Sequence, residues 1–435
     1  MHKRAENRGT PLLFVGDIHL GRRPESIAQV VESAGVSVRE LSPRAAWENV
    51  VQYAIDHAVK AVVLAGDVID REEHYIESYQ VVERAAHRLQ KAGIPLIAVA
   101  GNHDATLLPR LDDAVEGVTL LGRGGRWERH VLQGEGVDVE LIGWSFPSSH
   151  VQENPLDAPE FTELLNAPRQ AAHRILVAHG DLDAKSSNYA PMQRAQLEHA
   201  DIDAAFLGHI HAPDPLDQDR PIGYLGSLTG LDSAETGQHG PVEVRIGAAG
   251  HVVAERIDNA PIRWEHISVD VSHDQPWTAE TLLQHVRDEI RAWMTAHPLH
   301  PSTRVLAVRL TLEGRRPLAE WTRSFDALHH VDARALDIPD ATALVVLERT
   351  LDATGLRIDL AAESREQTPI GRVARMILDG PSEAQLREAE EHIRGAYRRE
   401  EVDGFEEIDV KQELQSAAQR MLEQMIAARE HGGTP

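Results

Sequence analysis

The chain has 435 residues, with 44 Lys+Arg against 69 Asp+Glu, a formal charge of −25, 24 histidines and no cysteine. That length accommodates one large catalytic domain with appendages, or two to three domains. The lack of Cys excludes disulfides, thiolate zinc sites, iron–sulfur ligation and cysteine nucleophiles. The charge argues against broad nonspecific affinity for nucleic acid, but leaves room for a local arginine groove or a metal-neutralised phosphate site.

The basic start MHKRAENRGT leads into PLLFV, which is too short for the apolar region of a signal peptide. No apolar run reaches spanning length, so the expectation is a cytoplasmic protein without membrane association. Strand-like runs follow at LLFV (12–15), AVVLA (61–65), PLIAVA (95–100), RILVA (174–178) and AAFL (204–207). They are continuously apolar, as strands covered on both faces are. Helical spacing recurs between them, through Trp47, Val50, Val51 and Ala54, and again through Ile76, Tyr79, Val82, Ala85 and Leu89.

Residues 118–146 read as a strand and then a hairpin around Gly134 and Gly136, and 241–256 as a second strand pair. The fold expected is therefore α/β, with two sheets between helical layers. Domain 10–260 would hold this core. An α+β module follows over 261–350: strand 264–271, helix 278–295, strand 303–311, a helix or irregular segment at 322–334, and strand 341–349. Residues 351–380 read as an irregular linker. Two helices then occupy 381–430, capped by Ser382 and Asp409, the second carrying an apolar stripe from Leu414 to Ile426.

Five strand ends share one chemistry. They read Gly16-Asp17-Ile18-His19, Gly66-Asp67-Val68-Ile69-Asp70, Gly101-Asn102-His103-Asp104, His179-Gly180 and Gly208-His209-Ile210-His211. Open α/β sheets place sites outside the carboxyl ends of their strands, so these clusters are expected to converge. Asp, Asn and His supply oxygen and nitrogen ligands suited to two divalent ions, Mn²⁺ first, with Fe²⁺ or Zn²⁺ as alternatives. Asp17 and His19 project to one side if their backbone is extended, as do His209 and His211. A carboxylate such as Asp67 can bridge two ions at the spacing used in phosphoryl transfer.

These motifs, GDxH, GDxxD, GNHD, a later HG and GHxH, resemble the signature of calcineurin-like metallophosphoesterases over roughly residues 12–230. The resemblance implies an αββα sandwich with Asp17, His19 and His211 on one metal. It places Asn102, His179 and His209 on the other, with Asp67 bridging. It also implies that His103 positions phosphate or protonates the leaving oxygen, that Asp104 orients His103, and that Asp70 is a supporting residue. LLFVGDIHLGRRP, VVLAGDVIDRE and the tract carrying Tyr224, Gly226, Ser227, Glu235 and Gly240 resemble the Mre11/SbcD-type DNA repair nucleases more narrowly. That likeness implies a DNA exonuclease and endonuclease with a capping domain at 261–350. It further implies an ABC-type coiled-coil ATPase partner docking on 381–430, and a homodimer formed through helices such as 43–60 and 74–92. Arg22 and Arg23 stand close to the site in sequence, where they either meet backbone phosphate or form a solvated surface pair. The alternatives are a phosphodiesterase or phosphatase for small substrates, and a non-enzymatic metal-binding scaffold.

Overall fold

The computed structural model describes residues 11–133, 138–246, 251–272, 277–316, 325, 328, 334–400 and 409–430. The chain forms two compact units. One comprises Met1–Ile267, Arg287–Leu310 and His330–Arg349; the other comprises Ser268–Val286, Thr311–His329 and Thr350–Pro435.

The first unit contains the sandwich. Its strands in chain order are β1 (Leu12–Val15), β2 (Ala61–Ala65), β3 (Leu96–Val99), β4 (Val118–Leu120), β5 (Trp127–Leu132), β6 (Val139–Trp144), β7 (His173–His179), β8 (Ala204–Gly208), β9 (Ile222–Tyr224), β10 (Val242–Ile246) and β11 (Val252–Arg256). One sheet has the order β11-β10-β1-β2-β3-β4 and the other β5-β6-β7-β8-β9. β1 to β4 run parallel, as do β6 to β9. The pairs β5–β6 and β10–β11 are the two expected hairpins, and their turns lie outside the described residues.

The period-2 alternation of side chains builds three apolar layers from these runs. Leu12, Phe14 and Val63 of one sheet meet Ile175, Val177 and Phe206 of the other. Phe14 and Phe206 have ring centroids 4.6 Å apart. The alternate residues point outward: Leu13, Val62 and Leu64 pack under α1 (Pro43–Asp56), α2 (Tyr75–Lys91) and α3 (Leu108–Ala114). On the far side, Leu176, Ala205 and Leu207 share a cluster with Phe161 of α4 (Pro159–Asn166) and Leu197 of α5 (Arg194–His199). Two sheets between two helical layers are the sandwich expected from the sequence.

Ile76 departs from the helical face expected for it, being 75% exposed. It lies six residues before Val82, about 120° around the helix at 3.6 residues per turn. Ser78 and Val81 are buried instead.

A further sheet is built from β12 (Ile262–Asp270), β13 (Val305–Glu313), β14 (Arg334–Leu336) and β15 (Leu344–Asp352), in the spatial order β12-β13-β15-β14, and α6 spans Ala279–Ala296. The segment expected at 322–334 lies almost entirely outside the described residues.

In the second unit, α7 (Pro369–Asp379) occupies part of the stretch read as irregular. The Thr368 hydroxyl accepts from Gly371 N at 3.1 Å with Pro369 at the first helical position, so T-P-x-G is a cap signal that reading passed over. α8 (Glu383–Glu400) starts at Ser382, whose N–H donates to the Gln385 side chain at 2.9 Å. α9 (Val410–Glu430) starts at Asp409, which accepts from Gln412 N at 3.0 Å. Leu422 and Ile426 pack with Ile370, Val373 and Ala374 in a small core. No described helix is long and apolar enough to cross a membrane.

Candidate metal centre

The loops after β1 and β2 are locked together before any side chain is considered. His19 N donates to Asp67 O and Leu20 N to Val68 O, both at 2.9 Å. Asp17 (φ 27°), His19 (φ 51°), Asp67 (φ 48°) and His209 (φ 105°) have positive φ. The extended geometry expected to align Asp17 with His19 is therefore absent. A left-handed turn brings their donor atoms together instead. Such backbone costs about 1–3 kcal/mol per residue and persists where the surroundings enforce it. Two glycines admit the close approach: a Cβ at Gly101 would collide with the Asp67 carboxylate, and one at Gly208 with the Ala65 carbonyl.

All seven residues expected as ligands lie in one cluster. Donor atoms of Asp17, His19 and His211 fall within 4.8 Å of one another, as do those of Asp17, Asp67 and His179. Asn102 Oδ1 lies 2.9 Å from His179 Nε2 and 3.1 Å from His209 Nδ1. The outer nitrogens are engaged. His19 Nδ1 lies 3.1 Å from Asp70 Oδ1, His211 Nδ1 2.9 Å from Glu235 Oε1, and His179 Nδ1 3.0 Å from Ala65 O. His209 Nε2 is 3.2 Å from Asp181 Oδ1. In the neutral imidazoles each contact would take an N–H and leave the inner nitrogen with its lone pair, the arrangement of metal-binding histidines.

These residues fit two divalent ions. His19 Nε2 and His211 Nε2 face each other at 3.0 Å, and with both protons on the outer nitrogens neither can donate to the other. A shared cation satisfies both. Burial pushes the Asp17 carboxyl up to about 7, although His179 pulls the other way. Asp67 is equally buried, yet His179 and His19 hold it below the ordinary carboxylate range. Burial works against charge on His179, but Asp67 outweighs it and raises the imidazole to about 9. Burial, reinforced by His179, lowers His209 to about 4. Asp67 and His179 thus draw positive charge, and Glu235 raises His211 against its burial, whereas His209 resists a proton.

His103 is exposed beside the cluster, its ring 5.0 Å from that of His19, and its Nδ1 is 2.9 Å from the Asp70 carbonyl. Asp104 does not orient it. Its Oδ1 accepts from Gly101 N at 2.8 Å and its Oδ2 from Val68 N at 2.7 Å, so this fully buried carboxylate ties the second loop to the third. The side chain has turned inward, toward amides that have no other partner there. Arg22 Nε is 4.0 Å from Asp70 Oδ1, and Arg23 is exposed.

Two carboxylates escaped the sequence reading as site residues. Glu235 braces His211 and accepts from the Ser227 hydroxyl at 2.7 Å; burial would raise its pKa, but His211 holds it at about 2. Asp181 braces His209 and receives the Ser187 hydroxyl. Glu235 stood in a phrase already singled out. Asp181, two residues past His179, carried no signal beyond that adjacency.

Residues 10–213 match the family of calcineurin-like phosphoesterases. The chain is 26% identical to the uncharacterized metallophosphoesterase YhaO of Bacillus subtilis, over 72% of this chain and 74% of that protein. It is 29% identical to the DNA double-strand break repair protein Mre11 of Haloferax volcanii, over 53% of this chain and 48% of that protein. It is 28% identical to the protein of the same name from Aeropyrum pernix, over 56% and 59%. The match thus spans about half the length of these two Mre11 proteins. The chain carries the calcineurin-like metallophosphoesterase fold, with a candidate dimetal site at its strand ends, and resembles Mre11/SbcD-type proteins.

Proposed function

We propose that the chain is a two-metal DNA exonuclease and endonuclease that hydrolyses phosphodiesters in DNA repair. The observation that carries the reading is the pair of inner imidazole nitrogens, on His19 and His211, facing each other at 3.0 Å while Asp70 and Glu235 hold their outer nitrogens. Asp17, His19 and His211 would hold one ion and Asn102, His179 and His209 the other, with Asp67 between them. Mn²⁺ suits this nitrogen and oxygen set. Two such ions lower the pKa of water between them and stabilise charge on the phosphoryl oxygens.

The chain's own groups supply position and protons. Asp70, Glu235, Asp181 and the Ala65 carbonyl fix the imidazole tautomers, so the donors need little reorganisation when phosphate arrives. Asp104 holds the second and third loops in register. His103 has Nδ1–H on the Asp70 carbonyl, and its imidazolium form would give the Nε2 proton to the leaving oxygen. DNA as the substrate rests on the likeness to the Mre11 proteins and on the phrases around His19 and Tyr224. The same likeness supports a capping role for 261–350, reached through 351–380 by an ATPase-docking segment at 381–430, and a homodimer in the cytoplasm.

The test strips the full-length protein of metal, restores Mn²⁺, and offers end-labelled duplex DNA and a small phosphodiester. DNA cleavage that falls about 10²–10⁴-fold in His103→Ala is expected. Brisk turnover of the small diester without DNA cleavage, with and without a coiled-coil ATPase, would replace this reading with the small-substrate phosphodiesterase.

A further inference from the structure

A cavity of about 410 Å³ opens immediately past the metal-centre loop, beginning at Gly21, two residues beyond His19. Four guanidiniums line it: Arg22 and Arg23 from the loop, Arg39 from the 3₁₀ turn Val38–Leu41, and Arg44 from the first turn of α1. In a chain of net charge −25, this concentration of arginine needs a reason.

The acids in the same cavity neutralise it only in part. Glu48 offsets Arg44 at 3.1 Å and Glu40 is taken by Arg304 at 3.2 Å, which leaves Glu77 against Arg22, Arg23 and Arg39. Arg23 and Arg39 have no side-chain partner among the described residues, and both are exposed. Unpaired guanidiniums converging from separate elements suit an oxyanion with several acceptor oxygens, and phosphate above all.

The position says which phosphate. Arg22 N donates to His19 O at 3.1 Å, a turn that holds their Cα atoms within about 7 Å. A strand in a duplex advances about 3.4 Å per nucleotide along the axis, so this reach corresponds to roughly two nucleotides. The cavity is also coupled to the centre, since Arg22 approaches the Asp70 carboxylate that braces His19. We propose that this arginine cavity is a second phosphate subsite, which holds a backbone phosphate a few nucleotides from the scissile one and so favours polymeric over small diesters. The inference rests on the reading of the chain as a DNA nuclease.

The test compares full-length Mn²⁺-loaded wild type, Arg39→Ala, Arg39→Lys and the double variant Arg39→Ala/Arg44→Ala. Substrates are a DNA oligonucleotide and bis(p-nitrophenyl) phosphate, which has no neighbouring phosphate. The double variant is expected to raise KM for the oligonucleotide about tenfold. It should also flatten the dependence of log KM on log salt by about one unit for each phosphate no longer engaged. Arg39→Lys should recover part of the affinity, and the small diester should be turned over as in wild type, which also reports an intact fold. DNA cleavage by wild type with unchanged KM and salt slope in the variants overturns the subsite alone. A parallel loss on both substrates overturns it as well. Wild type that hydrolyses only the small diester overturns the DNA reading, and the subsite with it.

Discussion

The strand-end loops of the first unit and the helices of the second bury opposite kinds of group. At the strand ends Asp17, His19, Asp67, Asp104 and His179 are all nearly inaccessible, and the backbone at Asp17, His19 and Asp67 is held at positive φ. In the second unit the buried set is a few aliphatic side chains around Leu422 and Ile426, while Met376, Leu378 and Met421 remain about half exposed. Leu414 and Met421 of α9, with Met376 of α7, line an apolar cavity of about 400 Å³. Burying charge costs more than it returns unless a partner is supplied, whereas burying a methyl group returns a little at once. The first region is arranged for chemistry at the expense of stability, and the second has apolar surface to spare.

The largest effect expected is at Asp67, on which His179, His19 and the His103 amide all depend. Asp67→Asn should abolish phosphodiester hydrolysis and lower the bound-metal stoichiometry, as read by elemental analysis. Full occupancy would break the contrast just drawn. Next is the buried pair on adjacent parallel strands, where Arg174 Nε meets Glu140 Oε2 at 2.9 Å and neither side chain is accessible. Glu140→Ala leaves Arg174 buried without this partner and should cost about 3–5 kcal/mol in denaturant unfolding. Glu235→Gln comes third: it keeps the shape but weakens the brace on His211, and metal affinity should fall about 10–100-fold by calorimetry. At the small end stands Met421→Ala, expected to change stability by about 0.5 kcal/mol or less, because the side chain is 46% exposed. A large loss there would show that the spare apolar surface of the second unit is structural.

The metal centre also carries a pH dependence. Asp17 is raised from 3.8 to about 7 and His179 from 6.5 to about 9 in the metal-free protein. Groups raised on folding stabilise most below their unfolded values and lose that contribution as pH rises through the folded ones. Below about pH 6.5 the lowered His209 offsets Asp17, because it gains stability as pH rises, so the metal-free protein should lose Tm mainly between about pH 6.5 and 9. Metal ligands must shed the same protons, so stabilisation by Mn²⁺ should grow across that range. Equal Tm increments at pH 6 and pH 9 would count against Asp17 and His179 as ligands.

The legibility of the sequence follows the same divide. The metal-centre residues could be read because each ends a continuously apolar run, and strand ends on one edge of a sheet have to meet. What could not be read was direction. Asp104 follows His103 in sequence but turns to the amides of Gly101 and Val68, since a short carboxylate beside unpaired N–H groups is captured by them. Asp181 and Glu235 reach His209 and His211 only through loop conformation, which no spacing rule encodes. In the second unit the stripe on α9 was legible as a period, but its division between Leu422 in the core and Met421 at the surface depends on where α7 packs. That helix was itself missed, because Gly371 and the Pro369 start mask a capped first turn.

The central claim is that the strand-end cluster holds two divalent ions that hydrolyse a phosphodiester. Titrating metal-stripped full-length protein with Mn²⁺ while following both bound metal and cleavage of labelled duplex DNA tests it directly. The account predicts activity that rises with the second equivalent and saturates at two ions per chain. Saturation at one ion, or cleavage undiminished in the metal-free protein, would contradict it.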